Sequence, residues 1–270
     1  MPGVPLSVRE TGPDDAPTVV LLHGVGTSGW MWRQLVEALE DELHVLTVDL
    51  PGHGRSAATA WVSMQDSAAA VADVIADRAH GGAAHLVGLS LGGYLAADLA
   101  ATRSPLVPSA LVSGVNVLPF PRPRLMRAAG RLMAPLMTSG PVLRANARAL
   151  RVPPEDLAGY AEAARAMAPG TFVRVGAELM DYRPPAGAAS SSSRVLAVAG
   201  AKEQDLIVRS LVELARAFPH GRARTVPGVG HAWNGEVPDL FAAVVRAHVG
   251  GAPLPDQLVA PPGERLDGGP

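Results

Sequence analysis

Five short, mostly apolar runs constrain this chain more than any other feature: TVVLL (18–22), HVLTVDL (44–50), AHLVGL (84–89), SALVSGV (109–115) and VLAVAG (195–200). They are continuous rather than alternating, the pattern of a strand covered on both faces. Between them lie stretches with apolar residues every three or four positions. MWRQLVEALEDE carries Met31, Leu35 and Leu39, DSAAAVADVIADRAH opens on Asp66 as a candidate N-cap, and LIVRSLVELARAF and DLFAAVVRAHV follow the last apolar run. VPLSVRET and ARTVPG add strand candidates near the two ends. Strands alternating with helices of about 10–15 residues predict an α/β fold: a mainly parallel, doubly wound sheet of about eight strands flanked by helices.

The rhythm breaks after SALVSGV. Residues 117–190 hold PFPRPRL, a Met-rich amphipathic stretch (Leu125, Met126, Ala129, Leu132, Met133, Leu136, Met137), then VLRANARAL and EDLAGYAEAARAM, with little strand character. A helical insertion is expected there, closed by the polar joint SSSSR at 190–194. The core is then 1–116 with 191–249. From Gly250 on, Pro and Gly without periodicity predict a disordered tail, 250–270.

Ligands of parallel sheets bind at the carboxyl ends of the strands, so the loops after each run share one rim. One of them is GLSLG, in which Ser90 sits between Gly88 and Gly92. With 29 glycines in the chain, about 0.17 such matches arise by chance, so context must decide. A buried strand enters the motif and the helical GGYLAADLAAT leaves it, the setting that exposes a strained serine at the head of a helix. The helix N-terminus favours negative charge developing there. A serine hydroxyl needs a base, and the base an orienting acid. His231, in PGVGHAW after the last strand, is the candidate base. Glu203, just past VLAVAG, is the candidate acid, with Asp205 as the alternative.

Five pieces, HG at 23–24, DLPGHGRS at 49–56, GLSLGG at 88–93, GAKE at 200–203 and GVGH at 228–231, resemble the α/β-hydrolase fold superfamily in the family's order. The resemblance covers residues 4–249 and departs in one respect, a glutamate where the family usually has aspartate. It implies acyl transfer through Ser90, Glu203 and His231, an oxyanion hole from the backbone N–H groups of Val25 and Leu91, and a cap formed by 117–190 over the pocket. It implies no metal and no organic cofactor.

Other residues have structural and functional readings side by side. Trp30, Trp32 and Trp233 are candidate pocket-lining residues or simple packing; Met133 and Met137 are cap packing or an adaptable apolar wall. His23 and His53 lack ligand spacing for a metal and are expected to make structural hydrogen bonds, and Asp49 to brace its turn.

A net charge of −2 and a pI near 6.4 imply no basic surface of the kind that nucleic acid or anionic lipid requires. The absence of cysteine excludes disulfides and thiolate chemistry. No apolar window spans a membrane and no signal peptide is visible, so a cytoplasmic protein without stable membrane insertion, acting on a small molecule, is expected. The cap's Ala, Leu, Met and Pro content, with no acidic cluster for a cation, favours small to medium apolar carboxylic esters. The alternatives are the same residues used for C–C bond hydrolysis, acyl transfer or cofactor-free perhydrolysis, or a slow-turnover ligand-binding protein. Acyl length and oligomeric state are open at this level.

Overall fold

The computed structural model describes residues 6–263. Its strands are β1 (Val8–Thr11), β2 (Thr18–Leu22), β3 (His44–Val48), β4 (His85–Leu89), β5 (Ser109–Ser113), β6 (Arg194–Gly200) and β7 (His220–Val226). Its helices are α1 (Arg33–Leu39), α2 (Met64–Arg78), α3 (Leu91–Thr102), α4 (Pro123–Met133), α5 (Gly140–Leu150), α6 (Leu157–Ala166), α7 (Thr171–Leu179), α8 (Asp205–Ala217), α9 (Trp233–Glu236) and α10 (Pro238–Gly250). Among the described residues the sheet has seven strands rather than about eight, in the order β1-β3-β2-β4-β5-β6-β7. Only β1 runs antiparallel, against β3.

Every residue of β2, β3 and β5 is buried, because helices cover both faces. Alternate side chains divide between two cores. Val20 and Leu22 of β2 join residues of α2, α3 and α8, whereas Val19 and Leu21 join residues of α1 and α10. The chain leaves β2 for β3 on one side and then returns to β4 on the other. The point where strand order reverses therefore lies between β2 and β4, where the sheet opens a crevice at its carboxyl ends.

Two glycines let the elements around that crevice close up. A Cβ on Gly92 would stand 1.9 Å from the Leu22 carbonyl oxygen, and one on Gly88 would stand 2.1 Å from that of Gly92. Helix α3 can therefore lie directly on β2 and β4.

Three local expectations are corrected. Helix α2 begins two residues early, capped by Ser63, whose hydroxyl accepts the Asp66 N–H at 3.0 Å; Asp66 sits in its first turn. The serine run is not a loose joint. Ser191 Oγ donates to the Ala100 carbonyl at 2.6 Å and Ser193 Oγ to that of Val107 at 2.6 Å. The Ala100 carbonyl is in the last turn of α3, where acceptors lack helical partners, and a buried serine supplies one. The third correction concerns residues 251–263. Thr225 N–H donates to the Val259 carbonyl at 2.8 Å, Val259 N–H donates back at 2.9 Å, and Leu258 is buried. This segment supplies a partner to the outer edge of β7. Residues 264–270, the rest of the expected tail, lie outside the described residues, as do residues 1–5.

Helices α4–α7 fill the interval between β5 and β6. Glu178 of α7 ties this segment to the sheet layer: its carboxylate accepts Trp61 Nε1–H at 2.8 Å and the Met64 N–H at 2.7 Å.

Candidate active site

Ser90 is the residue on which β4 turns into α3. Its backbone, at φ 55° and ψ −119°, lies in a region that side chains avoid at a cost of about 1–3 kcal/mol. Neighbouring backbone holds it there: the Ser90 N–H donates to the Ser113 carbonyl at 2.8 Å, and the Gly92 N–H donates to the His23 carbonyl at 3.0 Å. Ser90 thus stands at the head of a 12-residue helix, at the junction of β2, β4 and β5.

His231 arrives on the loop after β7, and Glu203 on the loop after β6. His231 Nδ1 and Glu203 Oε2 are 2.5 Å apart, with both side chains nearly buried. Glu203 Oε2 accepts, so Nδ1 carries the proton and Nε2 is the ring's free acceptor. Asp205, the alternative acid, is the first residue of α8; its side chain is 81% exposed and pairs with Arg209 at 3.5 Å. The extra methylene of glutamate supplies the reach from that loop to the ring. Gly114 (φ +68°) makes room for the imidazole, since a Cβ there would stand 2.8 Å from His231 Cε1.

Ser90 and His231 line one cavity of about 120 Å³, together with Val25, Met31, Leu89, Leu150, Val152 and Tyr160. Among the described residues no hydrogen bond joins Ser90 Oγ to the His231 ring, a pair that commonly tightens only around substrate. Val25 and Leu91 offer backbone N–H groups that have no acceptor among the described residues.

Of the sequence-selected pocket residues, Trp30 lines this cavity. Trp32 and Trp233 do not. Both are fully buried against Phe241, with ring centroids 5.7 and 4.3 Å away, and Trp233 Nε1–H donates to Ser113 Oγ at 2.9 Å. Met133 and Met137 are also absent from its walls, because α4 lies outside it and Met133 is 41% exposed. The insertion contributes instead through α5, α6 and their connection. Three polar residues that the sequence did not single out also line the cavity, Thr27, Asn234 and Asp156, the last paired with Arg33 at 2.5 Å.

His23 and His53 are committed to the framework. His23 Nε2 accepts the Leu50 N–H at 2.9 Å and its Nδ1–H donates to the Gly24 carbonyl at 2.8 Å. Burial, reinforced by His53, lowers its pKa to about 3, so it is neutral. Burial likewise lowers that of His53, whose Nδ1–H donates to the Pro51 carbonyl at 2.9 Å. Asp49 braces its turn, accepting the Gly29 N–H at 2.7 Å and the Arg55 N–H at 2.9 Å. Tyr94, whose hydroxyl accepts the Asn116 N–H at 2.9 Å, has its pKa raised to about 12, by burial first and also by the charge of Glu203.

A doubly wound sheet with a strained serine at its switch point and a carboxylate-bound histidine on the same rim defines a hydrolase-type α/β architecture. The model of the alpha/beta hydrolase family matches residues 19–244, and the chain belongs to that family. A hydrolase structure from Pseudomonas aeruginosa superposes with a TM-score of 0.74 over 91% of this chain and 94% of its own, at 22% identity. An enol-lactonase structure from Burkholderia xenovorans gives 0.71 over 91% and 96%, at 21% identity. Among characterised relatives, 3-oxoadipate enol-lactonase 1 of Acinetobacter baylyi is 36% identical over 94 residues, 35% of either chain. The dihydrolipoyllysine-residue acetyltransferase component of the acetoin cleaving system of Cupriavidus necator is 31% identical over 250 residues, 87% of this chain and 64% of that one. The first such relatives are matched over about a third of their own length.

Proposed function

We propose that this protein hydrolyses carboxylic esters, lactones included, of small, largely apolar acids through an acyl-enzyme on Ser90. The observation that carries the reading is the 2.5 Å contact between Glu203 and the distal nitrogen of a histidine that shares a cavity with a strained serine. His231 Nε2 takes the Ser90 proton as Oγ attacks the carbonyl carbon, then returns it to the leaving oxygen. Glu203 stays ionised and fixes the tautomer and the ring. The N–H groups of Val25 and Leu91 receive the oxyanion, at a helix N-terminus that already favours negative charge. Water, activated by the same histidine, releases the acid.

Residues 117–190 act as the cap, with Leu150, Val152, Pro153 and Tyr160 closing the acyl site. At about 120 Å³ the cavity is well below the ~300–1,000 Å³ typical of sites for drug-sized ligands, which favours short acyl groups. Enol-lactonase and ester-cleaving relatives agree with the bond type. A fluorophosphonate probe tests the nucleophile: it should label the protein and not Ser90→Ala. A panel of p-nitrophenyl esters should show highest kcat/KM at two to four acyl carbons. Undiminished labelling of Ser90→Ala would sink the reading.

Acyl transfer is a second reading, favoured by the likeness of 87% of the chain to the acetyltransferase component. Adding thiol or alcohol acceptors to the ester assay separates the two. Hydrolysis predicts that product partitioning follows water; transfer predicts acylated acceptor as the main product.

A further inference from the structure

Whole-chain charge conceals a local concentration. Residues 99–154 contain eight arginines and no aspartate or glutamate, in a chain whose net charge is −2. Four of them, Arg122, Arg124, Arg127 and Arg131, lie on or next to α4.

Helix α4 is set on the molecule in an unusual orientation. Its least exposed side carries Arg127 and Gly130, which together with the more exposed Arg131 face Phe172, Val173, Gly176 and Met180 of the α7 region across a cavity of about 230 Å³. Arg127 pairs there with Asp181. At 100° per residue, Leu125, Met126, Ala129, Leu132 and Met133 form one continuous arc on the other side, and the exposed Leu136 follows in the turn after the helix. Arc and turn point to solvent: Leu125 is 62% exposed, Leu132 79% and Leu136 50%, and no residue of α4 is buried. Among the described residues Arg122, Arg124 and Arg131 have no carboxylate partner. Scattered exposed leucines need no explanation, but a contiguous apolar arc on a helix whose opposite, polar side is arginine-rich does.

We infer that α4 is a peripheral docking element through which the protein sits on an anionic lipid surface, with the Leu/Met arc in the acyl boundary and the arginines against the headgroups. A strongly amphipathic, arginine-rich helix of low net hydrophobicity is the kind that lies in a bilayer interface rather than crossing it. Each cation near a negatively charged leaflet adds electrostatic attraction. Arginine also forms bidentate hydrogen bonds with phosphate oxygens. No helix among the described residues is long and apolar enough to span a membrane, so docking would be parallel to the surface. The proposal does not depend on the ester chemistry at Ser90.

Flotation of the full-length protein with two kinds of vesicle tests it: pure phosphatidylcholine, and phosphatidylcholine containing phosphatidylglycerol. Recovery with the anionic vesicles, reversed by salt and weak with the neutral ones, is expected. The paired substitutions Leu132→Asp and Leu136→Asp should lower partitioning about tenfold or more, and Arg124→Glu with Arg131→Glu by a similar factor. All four positions lie outside the Ser90 cavity, so p-nitrophenyl acetate turnover and thermal midpoint serve as controls for folding. Three outcomes overturn the proposal: no flotation with anionic vesicles, flotation insensitive to both pairs of substitutions, or a concentration-dependent dimer in lipid-free buffer that Leu132→Asp dissociates. The last would assign the arc to a second copy of the chain.

Discussion

Glu203 Oε2 lies 2.5 Å from His231 Nδ1, whereas Asp205, two residues further on, faces solvent beside Arg209. The two carboxylates should differ accordingly in the ester assay. Glu203→Gln places an amide against Nδ1 and favours the wrong tautomer, so kcat should fall by about 10³–10⁴-fold. Asp205→Asn should stay within about twofold, as surface changes usually do. Comparable losses in the two variants would contradict the assignment.

Gly114 is expected to act through the position of the imidazole. Its φ of +68° is unfavourable for any other residue, and an added Cβ would press on His231 Cε1. Gly114→Ala should displace the ring from Glu203 and reduce kcat by about 10–100-fold with little change in KM. If KM rose and kcat held, the glycine would instead be shaping the substrate site.

The tryptophans separate cavity from core. Trp30→Ala enlarges the Ser90 cavity and should shift the preferred acyl chain of the ester panel to longer lengths. Trp32→Phe perturbs only the packing against Phe241, and should lower the thermal midpoint while leaving the chain-length profile as it was. Identical profiles for Trp30→Ala and the parent protein would remove Trp30 from the substrate site.

Buried neutral His23 makes folding sensitive to acid. Its pKa is near 3 in the folded state, against 6.5 when exposed, so below pH 6.5 the unfolded chain takes up a proton that the folded one refuses. Stability from this group is complete above pH 6.5 and falls as pH drops toward 3, by about 2 kcal/mol at pH 5. His85 and His248, both lowered to about 4 chiefly by burial, act in the same direction. Urea midpoints at pH 7 and pH 5 measure the sum. His23→Gln should narrow the gap between the two; an unchanged gap would mean that His23 is not the source.

Sequence made the central sheet legible because buried parallel strands are written as mostly apolar runs, and Ser90 because it directly follows one; His231 is legible from the glycine-containing loop after the last, partly exposed strand. Glu203 could be named but not separated from Asp205, since the difference lies in where α8 starts. The pocket walls were the least legible part. Leu150, Val152, Asp156 and Tyr160 come from α5, α6 and the turn between them, and nothing local in ALRVPPEDLAGY says which side faces Ser90. Trp32 and Trp233 misled because a tryptophan near a functional loop reads the same whether it faces the ligand or the layer beneath. Charge averaged over the chain hid the acid-free arginine stretch around α4. The signal was in the order of residues, not in their totals.

The segment that pairs Val259 with Thr225 has a consequence for solution behaviour. Among the described residues β7 is the last strand of its sheet, with Ala223 and Val226 turned into the core and its backbone edge facing outward. An uncovered terminal strand is a template on which the strand of another molecule can add, the first step of fibrillar aggregation. By occupying hydrogen-bonding positions at Thr225, residues 251–263 act as an intramolecular guard against that association. A chain cut after Gly250 would retain its serine, histidine and glutamate and lose its protection against self-templating.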